Sequence, residues 1–440
     1  MHRLIINKLG PVKRCELECS SFMTFTGFQA AGKSTIAKAV YYFRTVKDDI
    51  IEMAKRQALS ETFVNGFEDE FDAANEAELK KGLENYLQEK FFSTFGSSKG
   101  MSYDMSMEYQ YTESCYMKIS QTRTNEKQVQ NEIKIVFSSS LEEFLKEKNN
   151  CFSVTPLGIP DDEIRMLKRE LYRLFDDIYS VVYIPAGRSM ITLLSQQLGF
   201  IYAYMTDSIK RSLDRCTRDY LERILRMKPE FSDGLLGAVH SDAVQAESVK
   251  LALSLIRRIL RGSYRYADGE ERIVLDDGSY VKINFSSSGQ QECVWILNLL
   301  FYYLVRPERI LFIIEEPESH LFPESQKAVT ELIALVNNCG HSVMLTTHSP
   351  YVLGALNNLL YAHTIQTRHL KKACQIIPEL LWIDENKFNS WFVKNGTIEN
   401  CMDSDIHMIQ NERIDEISKV INQEFDELLE LQETDGEGVV

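Results

Sequence analysis

Gly27-Phe28-Gln29-Ala30-Ala31-Gly32-Lys33-Ser34-Thr35 is a complete G-x-x-x-x-G-K-[ST] phosphate loop, and no other stretch constrains the fold of this chain as strongly. The run from Phe22 to Thr26 alternates as a strand does and is rich in strand formers. The run from Ser34 to Phe43 reads as a helix. Strand, glycine loop and helix in that order turn successive backbone N–H groups toward a phosphate, and the helix N-terminus adds positive potential. Gly27 and Gly32 permit the turn, with Gln29, Ala30 and Ala31 between them. Lys33 is spaced to reach β- and γ-phosphates, the Ser34 hydroxyl to ligate magnesium, and Thr35 to complete the loop.

Almost three hundred residues later, the apolar run Ile310–Ile314 ends in Glu315-Glu316-Pro317-Glu318. Such a run suits a parallel strand buried on both faces. Its terminal charges must emerge at ligand or water, because an unpaired buried charge is costly. Glu315 is expected to hold the magnesium shell, and Glu316 to orient or deprotonate the attacking water. Between these two motifs, Ser286-Ser287-Ser288-Gly289-Gln290-Gln291-Glu292 precedes an apolar helix from about Gln290 to Val305. Small hydroxyls at a helix start serve as an N-cap or as an anion site. After the carboxylates, the run from Ser342 reads as another buried strand ending in His348, followed by a helix with Pro350 near its first turn. A histidine there stands at the C-terminal edge of a nucleotide-binding sheet.

In this order the motifs resemble an ABC-type ATPase head of the RecF, structural-maintenance-of-chromosomes (SMC) and OLD (overcoming lysogenization defect) group within the AAA family. Leu4–Val12 and Tyr183-Ile184-Pro185-Ala186-Gly187-Arg188 resemble the same group, so the likeness spans residues 1–48 and about 180–365. The resemblance implies an α/β P-loop NTPase: a mixed sheet flanked by helices, with a helical lobe and an α+β insertion. It also implies two heads paired head to tail around ATP and Mg2+. Lys33 and Ser34 of one head would hold the nucleotide, and Ser287, Ser288, Gly289 and Gln290 of the other would cover its γ-phosphate. Glu316 would be the catalytic base, His348 the switch residue, and Ser319-His320-Leu321 the loop crossing the interface. Turnover in such sites is slow and regulatory. Glu315 stands where the group usually has Asp, so water-mediated ligation is expected, and Gln29 replaces a common Asn. Gln196 and Gln197 lie where a glutamine loop belongs. Arg188 either contacts a phosphate or holds the lobe junction.

The expected organisation is a composite head over 1–365 and an extension over 366–440. Lobe I takes 1–48, with two strands, and 306–365. An insertion takes 49–180, and the helical lobe with the signature takes 181–305. The insertion reads as a helix over 76–92, strands at 103–111, 114–122 and 132–137, and a helix over 161–177. A hairpin, 272–275 with 280–285, precedes the signature. No heptad runs through the insertion, which argues against a long coiled-coil arm. The extension ends in an acidic amphipathic helix whose Ile414, Ile417, Ile421 and Leu428 are expected to pack on their own domain, a partner-binding helix being the alternative.

Met1-His2-Arg3 runs straight into a strand pattern, no apolar run is long enough for a membrane span, and the nine scattered cysteines lack zinc spacing. These features fit a cytoplasmic enzyme with free thiols. A net charge of −15 argues against a surface that coats nucleic acid. A basic cluster at Lys210, Arg211, Arg215, Arg218, Arg223, Arg226, Lys228, Arg257, Arg258, Arg261 and Arg265 is interleaved with acids. It reads first as a salt-bridged face and second as a DNA-tracking one. Stand-alone heads of this size resemble ATPase subunits of bacterial antiphage defence systems (PtuA-like, retron-associated or AriA-like). The expected partners are therefore a second copy of the chain, as a homodimer or higher homo-oligomer, and a separate nuclease or toxin. A RecF-like DNA-repair ATPase is the alternative. A third reading, a nuclease built on Asp403-Ser404-Asp405, lacks a strand-borne Glu partner.

Overall fold

The computed structural model describes residues 2–64, 78–97, 101–124, 130–155, 158–193, 214–239, 245–403, 406–410 and 420–428. The first 48 residues carry three strands where the pattern suggests two. β1 (Arg3–Leu9) and β2 (Val12–Glu18) form a tight antiparallel hairpin with Leu9 opposite Val12 and Gly10 at φ 53°. Charges at Lys13, Arg14, Glu16 and Glu18 mask β2 in the sequence. β3 (Phe22–Gly27) then runs into the phosphate loop and α1 (Lys33–Arg44).

The insertion does not form a separate body. After α2 (Val46–Val64) and α3 (Leu79–Phe95) come β4 (Ser106–Gln110), β5 (Tyr116–Thr124) and β6 (Gln130–Phe137). These three form an antiparallel meander that pairs with β1 through β4 and extends its sheet. α4 (Ser139–Glu147) and α5 (Asp161–Leu174) lead to β7 (Ser180–Ile184). The helical lobe follows, with α6 (Arg215–Met227) and α7 (Glu247–Leu260). A small antiparallel sheet of β8 (Ser263–Ala267), β9 (Glu270–Val274) and β10 (Tyr280–Lys282) adds one strand to the expected hairpin. α8 (Ser288–Leu304), β11 (Ile310–Glu315), α9 (Pro323–Asn338), β12 (Ser342–Thr346) and α10 (Pro350–Thr364) complete the expected head.

The extension supplies a central part of the sheet. After α11 (Gln366–Ile376), β13 (Phe388–Lys394) and β14 (Thr397–Asn400) turn over Asn395 and Gly396, both at positive φ. The eleven strands run β6-β5-β4-β1-β2-β14-β13-β3-β12-β11-β7. β13, β3, β12, β11 and β7 are mutually parallel, so their C-terminal ends share one edge. Alternate residues of these strands feed two cores, as a period of two requires. Phe22, Phe312, Ile314, Val343 and Leu345 join one core, and Met23, Phe25, Leu311, Ile313 and Met344 join the other.

Residues 420–428 are helical but do not pack as expected: Ile421 is 56% and Leu428 64% exposed, with Phe425 beside them at 60%. Ile414, Ile417, Gln196, Gln197, Lys210, Arg211, Ser404 and Asp405 lie outside the described residues. The rest of the basic cluster is partnered. Arg215 and Arg218 face Asp219, Lys228 meets Glu271, and Arg257, Arg258 and Arg261 meet Asp276, Glu331 and Glu324. Arg265 approaches Asp233, Arg223 donates to the Tyr303 hydroxyl, and Arg226 to the Glu222 carbonyl. All nine cysteines are free, and no described helix is long and apolar enough to cross a membrane.

His341 opens β12's approach to the sheet with its imidazole buried, and Nδ1 accepts the Ile310 N–H at 3.2 Å. Burial, then Arg309, holds its pKa down at about 4. The unfolded chain takes the same proton near the ordinary value of about 6.5, so acidification through that window favours unfolding. Urea midpoints measured between pH 7 and pH 4 should fall, with His341 contributing up to about 3 kcal/mol. His341→Asn should flatten that slope.

Candidate nucleotide site

The phosphate loop joins β3 to α1 with Gly27 at φ 134° and Gly32 at φ 115°. Both values lie where a side chain is strained, and a Cβ on Gly27 would also stand 2.1 Å from the Val393 carbonyl oxygen of β13. α1 starts without a side-chain cap. Its first N–H groups are therefore free for an anion, as a phosphate site requires. Phe28, Gln29, Ala30 and Ser34 are exposed, Ala31 is buried and Thr35 half-buried. Lys33 folds back, donating to the carbonyls of Gly27 at 2.9 Å and Phe28 at 2.7 Å. Burial lowers its pKa to about 8 against the pull of Glu316, Glu318 and Glu315.

The carboxylates arrive on the neighbouring strands. β12 lies between β3 and β11, and Glu315 pairs in register with Thr346. One Glu315 oxygen accepts the Ala186 N–H at 3.1 Å, while Oε1 is buried without a hydrogen bond. The Tyr183 hydroxyl is its neighbour, and burial followed by the Glu315 charge pushes that phenol well above its ordinary value. The Tyr183 hydroxyl or the water shell of a magnesium ion could each serve that buried carboxylate oxygen.

Glu316 sits at φ 43°, an uncommon backbone for a residue with a side chain, and its N–H is held by the Thr346 carbonyl at 2.9 Å. Its carboxylate lies 3.6 Å from His348 Nε2 and accepts the Ser319 hydroxyl at 3.3 Å. Burial, then Lys33, lowers the His348 pKa, so the ring is neutral at pH 7. Lys33, Glu315, Glu316 and His348 thus converge at one sheet edge.

Two expected groups sit elsewhere. Ser287 caps α8 in a reciprocal capping box with Gln290, and Gln290 Nε2 donates to the Leu260 carbonyl at 2.7 Å. Gly289 packs against the His320 carbonyl, where a Cβ would come within 2.7 Å, while Ser287 and Ser288 are exposed. The signature therefore adjoins the Ser319–Leu321 loop rather than the phosphate loop of its own chain.

Arg188 holds the lobe junction. It is fully buried and donates to the carbonyls of Pro185, Glu315, Glu316 and Glu292 at 2.5–3.0 Å, with the Glu292 carboxylate at 3.3 Å. Every guanidinium N–H is thereby used on protein, which leaves none for a phosphate.

Two further features stand beside these residues. Glu318 is buried behind Glu316 and accepts from Thr347 and His348. A cavity of about 380 Å³ beside the phosphate loop is walled by Phe28 and by the Asn395-Gly396 turn. The Asn-Gly pair between alternating apolar residues is a hairpin signal that would have located β13 and β14.

The sequence matches the AAA ATPase domain over residues 1–353. The chain belongs to that family. No curated protein matches it. Solved structures similar to this AAA ATPase include an SMC head domain from Thermotoga maritima, 13% identical, covering 90% of this chain and 97% of that one at a TM-score of 0.36. Another is an Smc head domain with an extended coiled coil, bound to the C-terminal domain of ScpA, from Pyrococcus furiosus. It is 10% identical and covers 96% of this chain and 100% of that one at a TM-score of 0.38. A third is a dimeric ATP-binding cassette bound to ADP and Pi, 11% identical, covering 91% and 97% at a TM-score of 0.30.

Breaking a buried ion pair from one side leaves the other charge stranded. Arg188→Ala should therefore cost about 3–5 kcal/mol of folding stability, read by chemical denaturation. A variant that loses ATP affinity at unchanged stability would return Arg188 to the nucleotide.

Proposed function

We propose that this AAA ATPase binds and hydrolyses ATP between two copies of itself and uses the resulting cycle to regulate a separate effector. The observation that carries the reading is the uncapped N-terminus of α1 facing Lys33, Glu315, Glu316 and His348 at one sheet edge. Gly27, Gln29, Ala30, Ala31, Gly32, Lys33 and Thr35 would hold the phosphates, and Ser34 and Glu315 the magnesium. The cavity beside Phe28 suits the base and ribose. Bound magnesium supplies charge neutralisation at the transferred phosphoryl group. Glu316 takes the proton of the attacking water, and neutral His348 holds that carboxylate in place. Ser287 and Ser288, exposed on the signature turn, close the site of the opposite copy.

The proposed setting is bacterial antiphage defence, with a nuclease or toxin as effector. The exposed stripe of Ile421, Phe425 and Leu428 on an acidic helix supports a protein partner. The RecF-like alternative needs a free basic surface, and the described arginines of that cluster are already engaged.

Lys33→Ala should abolish ATP binding in a titration with a fluorescent analogue, while Glu316→Gln should accumulate an ATP-bound dimer on a sizing column. Tight binding by the Lys33 variant would remove the site. Filter binding to duplex DNA across a salt series should show no ATP-dependent affinity. A steep salt slope with ATP present would favour the repair alternative.

A further inference from the structure

We propose that Glu318 is a positioning residue for hydrolysis: its buried carboxylate ties the loop carrying Glu316 to the loop carrying His348. The inference rests on the roles proposed above for those two residues. β11 and β12 pair only as far as Glu315 and Thr346, and the Glu316 N–H makes the last backbone bond between them. Beyond that point the two loops need another tie. Glu318 Oε1 provides it by accepting the Thr347 hydroxyl at 2.7 Å and the His348 N–H at 2.8 Å.

The tie reaches further. Thr347 Oγ1 accepts the Ser349 N–H at 3.0 Å, and Ser349 caps α10 while donating to Gln326 of α9. One carboxylate oxygen therefore fixes the turn that presents the His348 ring to Glu316. Glu318 is only 8% exposed, and its Oε2 is buried without a hydrogen bond. Burial raises its pKa against these donors. A site that needed only packing would not retain a carboxyl under such a penalty. The Ser319 and Leu321 N–H groups close back on the Glu316 and Glu318 carbonyls, so the same short turn carries Glu316, Glu318 and the Ser319 hydroxyl that meets Glu316.

The test compares full-length wild type, Glu318→Gln and Glu318→Ala. Gln keeps an acceptor for both donors and should hold kcat within about threefold, whereas Ala should lower kcat roughly 10–100-fold with the ATP KM within about threefold. A second readout needs no turnover: the His348 ring resonance, assigned by its loss in His348→Ala and titrated in nucleotide-free protein. Its midpoint should move in Glu318→Ala and stay in Glu318→Gln. If Glu318→Ala does not fold, Thr347→Val removes the hydroxyl donor from the opposite side, and the same kcat loss and midpoint shift are expected. A folded Glu318→Ala with wild-type kcat and an unmoved His348 midpoint overturns the proposal, as does a Gln variant as impaired as Ala. Wild type without ATPase activity would overturn the functional reading instead, while the His348 titration still decides Glu318.

Discussion

The guanidinium of Arg188 is the contact on which the carboxylate-bearing edge of the sheet depends. At the end of β11, the carbonyls of Glu315 and Glu316 run past the strand ladder into a buried space, where an unpaired carbonyl is costly. A single planar cation serves both, and it also engages Pro185 and the backbone and side chain of Glu292 on α8. Lysine has neither the number of donors nor their fixed geometry. The contact joins the helix that displays Ser287 and Ser288 to the strand that displays Glu315 and Glu316.

Charge at that edge is balanced within the chain. Glu315, Glu316 and Glu318 all act on Lys33, whose ammonium rests on two loop carbonyls. Lys33 in turn helps keep His348 neutral. Under the proposed function, a phosphate that drew Lys33 away from Gly27 and Phe28 would alter the field at His348 and the carboxylates together.

The parts legible in the sequence are those whose chemistry is contiguous. The loop from Gly27 to Thr35, the apolar run into Glu315-Glu316 and the strand into His348 each carry their own geometry. Features made by distant neighbours were harder to read. Arg188 suits a phosphate or a set of carbonyls equally well as a residue type, and only burial among five acceptors decides. Glu318 lies inside a recognised motif, but its role depends on Thr347 and His348 on another strand. Lys13, Arg14, Glu16 and Glu18 hide β2: they take its exposed positions, while Val12, Cys15 and Leu17 are buried. The periodicity of Ile421 and Leu428 marks an amphipathic helix without saying what covers it. Residues 366–400 looked peripheral because they follow the last nucleotide motif. Their strand completes the sheet beside the first one.

That placement has a consequence for biosynthesis. β3 pairs with β12 and β13, so both neighbours of the strand entering the phosphate loop begin at or after residue 342, more than three hundred residues downstream. At about 5–20 residues per second a ribosome leaves that strand waiting roughly 15–60 s for its first sheet partner. Contacts of such long range close slowly. The nucleotide cradle is thus a late product of folding, and the nascent chain has to keep an apolar strand from other edges until the far end of the polypeptide emerges to claim it.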